Sequence, residues 1–286
     1  MFTLVTGVTG QVGTGFLPRL LAQGRPGDRV RVLLRDASRA DRLAGLGAEV
    51  VLGDLRDTDV LGRALAGVDA VVNIAAAFRG VADEEVRAVN RDAALDLARA
   101  AVARGVRRFV QAGTNLVYGV GRGRPHVEDD PSVPGGPMWT AYPQSKAEAE
   151  RALLTHEEFA GLDVRVGRLA FVYGEGDPHL PGITRWTAHQ PATKRHHLVH
   201  VADVAQGLLR LLYAPGADGR VYNIADDAPV TVLEIHQLLG ADAPAQDVDP
   251  DPDPWHGLVS TDRIRRELGF RPQYPTLWTA RDAGAL

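Results

Sequence analysis

The sequence predicts an α/β fold, a doubly wound parallel sheet with a small, discontinuous C-terminal lobe. Short apolar runs alternate with longer segments of helical periodicity along most of the chain, which is the pattern of a parallel sheet with helices on both faces. A glycine turn also follows the first apolar run directly and opens a helical segment. The length of 286 residues allows one large domain or a main domain with a smaller lobe, and we favour the second.

Composition narrows the class of protein. The formal net charge of −4 and the absence of a Lys/Arg run with interleaved aromatics argue against nucleic-acid binding. With no cysteine, a disulfide framework, a thiolate nucleophile and Cys-ligated zinc are excluded, which fits a reducing cytosol. Residues 1–5 read as a buried strand and not as a signal peptide, and no apolar run reaches the roughly 20 residues that span a bilayer. We expect a soluble, cytoplasmic protein with no membrane or nucleic-acid partner.

The first strand, over 2–6, runs into glycines at Gly7, Gly10 and Gly13 and then into a helical pattern. Glycines so placed allow a tight turn and close approach of a pyrophosphate, while the helix N-terminus offers its N–H groups. The spacing is G-x-x-G-x-x-G and not G-x-G-x-x-G. Pro18 is expected to kink this helix or to delay its regular part. The stretch predicts a Rossmann-like dinucleotide site, with a glycine-rich turn that binds no ligand as the alternative.

The second strand, over 29–34, ends in Arg35-Asp36, where the adenosine ribose normally lies. An acidic residue there accepts from the ribose hydroxyls of NAD, whereas a guanidinium pairs with the 2′-phosphate of NADP. Arg35 directly follows the strand, and Ser38 and Arg39 follow in the same loop. We therefore predict NADP, with NAD possible through Asp36. The remaining alternative is that Arg35 is only a solvent-exposed charge in the loop.

The next two strands, over 49–52 and 70–74, also end in candidate ligand contacts. Asp54 either accepts from an adenine amine or caps the helix that starts near Asp57. Three alanines at 75–77 leave room for a ligand at the carboxyl edge of the sheet, or pack tightly there. The remaining predicted elements are helices over 83–104, 142–159, 202–213, 231–239 and 262–268 and strands over 108–111, 163–169, 197–200 and 221–224.

Three segments without clear periodicity are expected outside the sheet. The glycine-, proline- and acid-rich stretch 120–138 reads as an active-site loop, and 172–195 reads as a substrate-facing excursion. The alternation of Asp and Pro over 247–254 reads as a surface linker. We therefore assign 1–169 with 198–225 to an NAD(P)-binding domain and 170–197 with 226–286 to a substrate-binding lobe.

Tyr142 and Lys146 stand four residues apart at the start of a predicted helix, and so share a face. A cation at roughly 4 Å in an effective dielectric near 20 favours phenolate by on the order of 4 kcal/mol before desolvation opposes it. Tyr142 could then exchange a proton with a substrate hydroxyl or carbonyl near neutral pH. Taken alone, the pair is weak evidence for catalysis, because a tyrosine ring that only packs over a lysine stem on a helix has the same spacing.

Together, these motifs in this order resemble the extended short-chain dehydrogenase/reductase family, also called the NAD-dependent epimerase/dehydratase family. The resemblance covers nearly the whole chain. It rests on the segments 6–13, 53–55, 117–119 with Thr114, 142–146, 168–174, 199–204 and 221–224.

The resemblance implies a catalytic triad. Tyr142 would be the acid/base, Lys146 the cation that lowers its pKa and bonds the nicotinamide ribose, and Thr114, where the family more often has serine, the hydroxyl that polarises the substrate oxygen. The cofactor contacts implied are Gly7, Thr9, Gly10, Gln11, Val12, Gly13, Arg35, Asp54, Leu55, Ala75, Ala76, Ala77, Asn90, Tyr142, Lys146, Ala170 and Val172, although Asn90 could be only a polar helix residue. The substrate contacts predicted are Phe78, Asn115 and Tyr173.

The chain departs from members that act on nucleotide sugars, which usually carry a longer lobe with a glycine-rich segment and an arginine that grip the diphosphate. In this chain the corresponding residues are 191–197, which lack the glycine-rich segment. Lys194 and Arg195 in this stretch could still bind phosphate. We favour NADPH-dependent reduction, or the reverse oxidation, of a carbonyl or hydroxyl on a small molecule. The alternatives are a nucleotide-sugar epimerase or dehydratase with tightly held NAD, and a non-catalytic NADP-binding regulator.

Two further expectations concern assembly and metal. By the resemblance, the protein would form a homodimer through the helices over 83–104 and 142–159. His196, His197 and His200 lack a further ligand cluster with suitable spacing, so no metal site is predicted. His200 reads instead as a strand end that leads to a helix N-cap.

Overall fold

A central sheet of seven parallel strands organises the computed structural model, whose described residues are 1–136, 138–177, 179–245, 248–249 and 253–286. The strands are β1 (Phe2–Thr6), β2 (Arg29–Leu34), β3 (Glu49–Leu52), β4 (Ala70–Asn73), β5 (Arg108–Thr114), β6 (Asp163–Leu169), β7 (Phe171–Tyr173), β8 (Arg195–His196), β9 (Leu198–His200), β10 (Val221–Ile224) and β11 (Val230–Thr231). The order across the sheet is β10-β6-β5-β4-β1-β2-β3. This order reverses between β1 and β4, where doubly wound sheets bind their ligands.

Helices cover both faces of the sheet. They are α1 (Gln11–Gln23), α2 (Ala40–Gly45), α3 (Thr58–Ala64), α4 (Asp83–Arg87), α5 (Ala93–Ala103), α6 (Ala141–Thr155), α7 (Leu180–Thr187), α8 (Val201–Tyr213), α9 (Val232–Leu238), α10 (Asp262–Leu268) and α11 (Leu277–Asp282), with a π-helical segment, Ala88–Asp92, between α4 and α5. One core packs α1 and α8 against the sheet. A second core packs α3, α5 and α6 against the other face. The predicted doubly wound fold is confirmed.

A third, smaller core belongs to the lobe. It gathers Tyr173, Leu180, Ile183, Leu198 and other apolar residues from β7, α7, β9, α9 and α11. In the lobe β7 pairs with β9 in parallel, and β8 pairs with β11 antiparallel. This core gives the lobe its own interior beside the sheet.

Two expectations about local structure need correction. The delay expected from Pro18 is not seen, because α1 is regular from Gln11 onward and its Phe16, Leu17 and Leu20 are buried on the sheet. The segment 172–195 is not irregular. It contains α7, whose buried residues Leu180, Ile183 and Thr187 have helical spacing over only eight residues, too short a run to stand out in the sequence.

The ends of other elements agree with their sequence signals. Asp57 caps α3, Thr231 forms a capping box with Glu234 on α9, and His200 Nδ1 accepts from the Ala202 N–H at the start of α8. In the predicted linker, positions 247 and 250–252 lie outside the described residues. Within the described part of the chain, every helix is too short or too polar to cross a bilayer.

Candidate active site

A cavity of about 1230 Å³ opens where the strands of the main sheet end. Its walls include the residues that follow β1, β2, β3, β4, β5 and β6, and residues of the lobe close it from the other side. Drug-sized ligands occupy pockets of roughly 300–1,000 Å³. This cavity therefore has room for a dinucleotide and a second small molecule.

The glycine turn after β1 is shaped by close backbone approach. A Cβ on Gly7, whose φ is +72°, would lie 2.5 Å from the Ala75 nitrogen, and a Cβ on Gly13 would lie 2.1 Å from the Gly7 oxygen. A Cβ on Gly10 would meet only the Gly7 oxygen, at 3.5 Å. Gly10 also stands at the N-cap of α1 without a side-chain hydrogen bond. Gly7 and Gly13 thus serve packing, while Gly10 leaves open the approach to the N–H groups of α1, an arrangement that fits a pyrophosphate.

Gln11 joins the turn to the lobe. Its Nε2 donates to the Val172 carbonyl at 3.1 Å, and its Oε1 lies 2.9 Å from His179 Nδ1. Gln11, Val172 and His179 all line the cavity. The two parts of the wall are therefore held together beside the predicted phosphate position.

The two residues at the tip of β2 have different surroundings. Arg35 lines the cavity. Asp36 instead caps the turn that follows, where its Oδ1 accepts from the Ser38 N–H at 2.9 Å and from the Ser38 hydroxyl at 2.6 Å. These hydrogen bonds lower the pKa of Asp36, and Arg39 Nε lies 3.5 Å from its Oδ2. The Asp36 carboxylate, which would accept hydrogen bonds from an NAD ribose, is instead bound to Ser38 of its own loop.

Asp54 lines the cavity and does not cap α3. Its carboxylate accepts from the Arg56 N–H, Nε and Nη2 at 2.9, 2.9 and 2.8 Å, and these bonds hold its pKa at about 2. Arg56 Nη1 also donates to Glu85 at 3.1 Å. Arg56 and Glu85 are part of the wall and were missed in the sequence, because an ion pair between two segments leaves no local signal.

The alanine wall after β4 is fixed by Asn90. The Ala77 N–H donates to Asn90 Oδ1 at 2.9 Å, and Asn90 Nδ2 donates to the Ala77 carbonyl at 2.8 Å. Asn90 is buried in the π-helical segment and is not part of the cavity wall. π-Helical turns inside α-helices frequently occur at functional sites. The structure places Asn90 behind the predicted cofactor site, where it positions the wall.

Most of the predicted cofactor residues do line the cavity. They are Gly7, Thr9, Gly10, Gln11, Val12, Gly13, Arg35, Asp54, Leu55, Ala75, Ala76, Ala77, Tyr142, Ala170 and Val172.

Thr114 and Tyr142 meet at the centre of the cavity wall. Thr114 ends β5, Tyr142 lies in the first turn of α6, and both residues line the cavity. Thr114 Oγ1 also accepts from the Leu116 N–H at 3.3 Å. Burial raises the pKa of the Tyr142 phenol to about 12, against a smaller lowering by the Thr114 hydrogen bond. The phenol is therefore a proton donor at neutral pH.

Lys146 lies one turn further along α6, where it is 4 % exposed and not part of the cavity wall. Its Nζ donates to the Ala112 carbonyl at 3.1 Å, and burial lowers the pKa of the ammonium to about 8. The expected lowering of the Tyr142 pKa by Lys146 is not found. Burial raises the pKa of the phenol, and the ammonium is engaged instead with β5, the strand that ends at Thr114.

The three predicted substrate residues have different positions. Phe78 and Asn115 line the cavity; the Phe78 ring lies 4.4 Å from the Tyr142 ring, and Asn115 Nδ2 donates to the Gly257 carbonyl at 3.0 Å. Tyr173 is fully buried in the lobe core, outside the cavity wall. Side chains alternate along a strand, so Tyr173 points away from the side that Val172 presents to the cavity. The prediction of Tyr173 as a substrate contact is corrected accordingly.

His197 is the histidine of the lobe whose role is clearest. Its Nε2 donates to the Asp226 carbonyl at 3.1 Å, its Nδ1 accepts from the Val259 N–H at 3.2 Å, and burial lowers its pKa to about 4. It is therefore a neutral, fixed part of the wall. Among the described residues, no group of three or more metal-ligating side chains is suited to hold a metal ion.

Further wall residues were not predicted. They are Arg79, Val81, Met138, Phe171, Trp186, Gln190, His196, His256 and Gly257, among others. They come from loops and from the lobe, and apart from Phe171, which lies in the segment 168–174, no motif marks them in the sequence. Their position depends on how the lobe packs over the sheet.

The fold agrees with comparisons to known proteins. The chain belongs to the NAD dependent epimerase/dehydratase family, whose model matches residues 3–225. It is 32 % identical to a dTDP-glucose 4,6-dehydratase of Streptomyces griseus, over 94 % of this chain and 88 % of that protein. It is 31 % identical to the 4-hydroxy-2-methyl-3-oxo-4-farnesyl-3,4-dihydroquinoline-1-oxide ketoreductase of Stigmatella aurantiaca, over 84 % of this chain and 72 % of that protein.

A solved structure is similar over nearly its full length. The dTDP-glucose 4,6-dehydratase DesIV of Streptomyces venezuelae, solved with NAD bound, is 29 % identical, with a TM-score of 0.76 over 96 % of this chain and 92 % of that one. The predicted family and the prediction of an enzyme of the extended short-chain dehydrogenase/reductase type are confirmed.

Proposed function

We propose that this enzyme uses NADPH to reduce a carbonyl group on a small molecule, or catalyses the reverse oxidation, with Thr114, Tyr142 and Lys146 as its reacting polar groups. The observation that carries the proposal is the neutral Tyr142 phenol, which lines the same cavity as Thr114, a cavity whose other end fits a dinucleotide. Bound NADPH would supply the hydride.

Each residue has a distinct part in this chemistry. As the carbonyl carbon is reduced, its oxygen becomes strongly basic, and the Tyr142 hydroxyl donates the proton that it needs. The Thr114 hydroxyl gives a second hydrogen bond at that oxygen. Lys146, charged below its pKa of about 8, stabilises the negative charge that Tyr142 acquires.

The preference for NADPH is supported by the two residues at the tip of β2. Arg35 lines the cavity, and Asp36 is occupied by Ser38. Calorimetric titration should give at least tenfold tighter binding of NADPH than of NADH, a difference of about 1.4 kcal/mol. Arg35→Ala should remove this difference, whereas Arg39→Ala, a matched change in the same loop outside the cavity wall, should keep it. Equal losses for both cofactors in Arg35→Ala would contradict the 2′-phosphate assignment.

A nucleotide-sugar epimerase or dehydratase with tightly held NAD is the second candidate. It is favoured by the similarity to dTDP-glucose 4,6-dehydratases and by Lys194 and Arg195 in the cavity wall. Denaturing the purified protein and assaying the supernatant separates the two. Stoichiometric NAD in the supernatant, together with turnover of dTDP-glucose, would favour the dehydratase over the reductase. A non-catalytic regulator has no comparable support, since Tyr142 and Lys146 are both present.

The remaining assignments are part of the same proposal. Residues 1–169 with 198–225 would bind NADP and 170–197 with 226–286 the substrate. The protein would act in the cytoplasm as a homodimer that pairs through the helices over 83–104 and 142–159. Light scattering of the purified enzyme should give twice the chain mass, and a mass equal to one chain would contradict the dimer.

A further inference from the structure

The mouth of the cavity carries an apolar surface exposed to water. Phe78, Val81 and Met138 are 41, 47 and 43 % exposed, and all three line the cavity. They come from two separate segments, the loop after β4 and the end of the stretch 120–138. Exposed apolar side chains gathered at one concave site indicate a ligand with apolar surface.

The loop after β4 holds Phe78 in place over Tyr142. The two rings lie 4.4 Å apart at 45°, and the Arg79 guanidinium lies 4.8 Å from the centre of the Phe78 ring. Arg79 has a φ of +53°, a left-handed conformation that costs free energy in a residue with a Cβ and that persists where surrounding structure enforces it. The preceding Ala77 is held at both backbone groups by Asn90. Phe78 therefore forms a fixed wall beside the reacting hydroxyl.

The lobe supplies a second aromatic wall. The rings of Phe171 and Trp186 lie 6.3 Å apart, Trp186 meets His196 edge-on at 5.1 Å, and all three line the cavity. The buried Nε1 of Trp186 has no hydrogen-bond partner among the described residues. A buried N–H normally has an acceptor, so this wall offers one donor to a ligand that is otherwise in apolar surroundings.

We propose, on the basis of the reduction proposed above, that the substrate is an apolar ring ketone. Its ring would lie between Phe78, Val81 and Met138 on one side and the Phe171–Trp186 wall on the other. Its carbonyl carbon gains a hydride from NADPH while the carbon–oxygen double bond opens, and its oxygen gains the Tyr142 proton, which solvent replaces. The products are the secondary alcohol and NADP⁺.

The cationic part of the cavity does not require a diphosphate. The Arg195 guanidinium lies 4.7 Å from the centre of the Trp255 ring, and Arg195 Nη2 donates to the Pro254 carbonyl at 3.3 Å. Arg195 thus holds the segment that follows the predicted linker. The apolar side chains of the mouth, in contrast, stay exposed where they line the cavity.

The test compares three compounds: ketone turnover is followed by the oxidation of NADPH, and nucleotide-sugar turnover, which is redox-neutral overall, is followed by chromatography. The compounds are α-tetralone as an apolar ring ketone, dihydroxyacetone as a polar ketone, and dTDP-glucose as a nucleotide sugar. The KM for α-tetralone should be at least tenfold below that for dihydroxyacetone, since burial of a ring removes much apolar surface from water. dTDP-glucose should be neither consumed nor a competitive inhibitor.

Variants of the exposed apolar residues separate binding from folding. Val81→Ser should raise the KM for α-tetralone about fivefold with kcat nearly unchanged, because it removes apolar contact and no reacting group. Val127→Ser is the matched control, since Val127 is 37 % exposed and lies outside the cavity wall. Phe78→Ala should raise the same KM, and Phe78→Leu should restore most of the loss.

The outcomes distinguish this inference from the reductase itself. If dihydroxyacetone is reduced as well as α-tetralone and Val81→Ser changes neither KM, the apolar substrate is wrong and carbonyl reduction stands. α-Tetralol, the alcohol formed from α-tetralone, tests binding alone. If no ketone oxidises NADPH, but α-tetralol quenches the tryptophan fluorescence of the NADP complex and Val81→Ser weakens this quenching, the apolar site stands and the reduction fails. Turnover of dTDP-glucose with no binding of α-tetralol overturns both.

Discussion

At the scale of single residues, Tyr142 is the group whose surroundings say most about the chemistry. Burial raises the pKa of its phenol to about 12, against a smaller lowering by Thr114, and the Phe78 ring packs against its ring. A neutral phenol with a raised pKa retains its proton until a stronger base forms beside it. The reduced carbonyl oxygen is such a base. The surroundings of Tyr142 thus suit proton donation in the direction of reduction.

Tyr142→Phe should lower turnover by about 10²- to 10⁴-fold, the usual contribution of a positioned acid or base. The ring and its contact with Phe78 remain, so NADPH should bind with nearly unchanged affinity. Steady-state kinetics and calorimetry on the same preparation measure both effects. Unchanged turnover would remove Tyr142 from the mechanism.

Asp226 is a buried carboxyl of the lobe that affects stability. It is 2 % exposed, and burial, with a smaller contribution from Asp203, raises its pKa to about 9. The unfolded chain loses this proton near pH 4, so the folded state becomes less stable as pH rises from about 4 towards 9, by up to about 1.4 kcal/mol per pH unit.

Asp226→Asn removes this titration. The free energy of unfolding of the variant, minus that of the parent protein, should therefore increase from pH 5 to pH 8. Urea denaturation at each pH measures this difference. Asp218→Asn, a change at an exposed aspartate near the same strand, serves as the control and should show no such growth. A gain for Asp226→Asn that is the same at both pH values would contradict a buried, protonated carboxyl.

At the scale of elements, the glycines of the turn between β1 and α1 have different roles: Gly13 is required for packing, and Gly10 for ligand binding. Gly13→Ala would place a Cβ 2.1 Å from the Gly7 oxygen, whereas in Gly10→Ala the same distance is 3.5 Å. Gly13→Ala should therefore destabilise the fold by several kcal/mol.

Gly10→Ala should leave the stability within about 0.5 kcal/mol and yet weaken NADPH binding, because the new methyl group lies where the pyrophosphate approaches. Thermal unfolding and calorimetric titration of both variants measure the contrast. Equal effects of the two changes on NADPH affinity, at equal stability, would contradict the division of roles.

How much could be predicted from the sequence also differs by element. The β1–α1 turn was predictable because its glycines recur at every third position within one short segment. The second aromatic wall was not: Trp186 lies on α7, an eight-residue helix whose short apolar pattern resembles a loop. Tyr173 was misplaced because its motif gives its position along β7 but not the side to which it points. The bond between Lys146 and the Ala112 carbonyl depends on how α6 packs on β5, which spacing along one helix cannot specify.

At the scale of the whole molecule, the cavity lies between two parts with separate cores, so mutations in the two cores should affect different ligands. Ile183 is fully buried in the lobe core, three residues before Trp186. Leu17, on α1, is buried in the core between that helix and the sheet. Either substitution to Ala should cost about 2–5 kcal/mol of stability.

Ile183→Ala should weaken the binding of a substrate alcohol and leave NADPH affinity nearly unchanged, because α7 carries the lobe wall and not the glycine turn. Leu17→Ala should do the reverse, because α1 bears the N–H groups offered to the pyrophosphate. Calorimetry with each ligand, well below the unfolding temperature of each variant, measures the crossed pattern. If Ile183→Ala weakens NADPH as much as Leu17→Ala does, the assignment of cofactor and substrate to separate parts of the chain is wrong, and the lobe itself holds the dinucleotide.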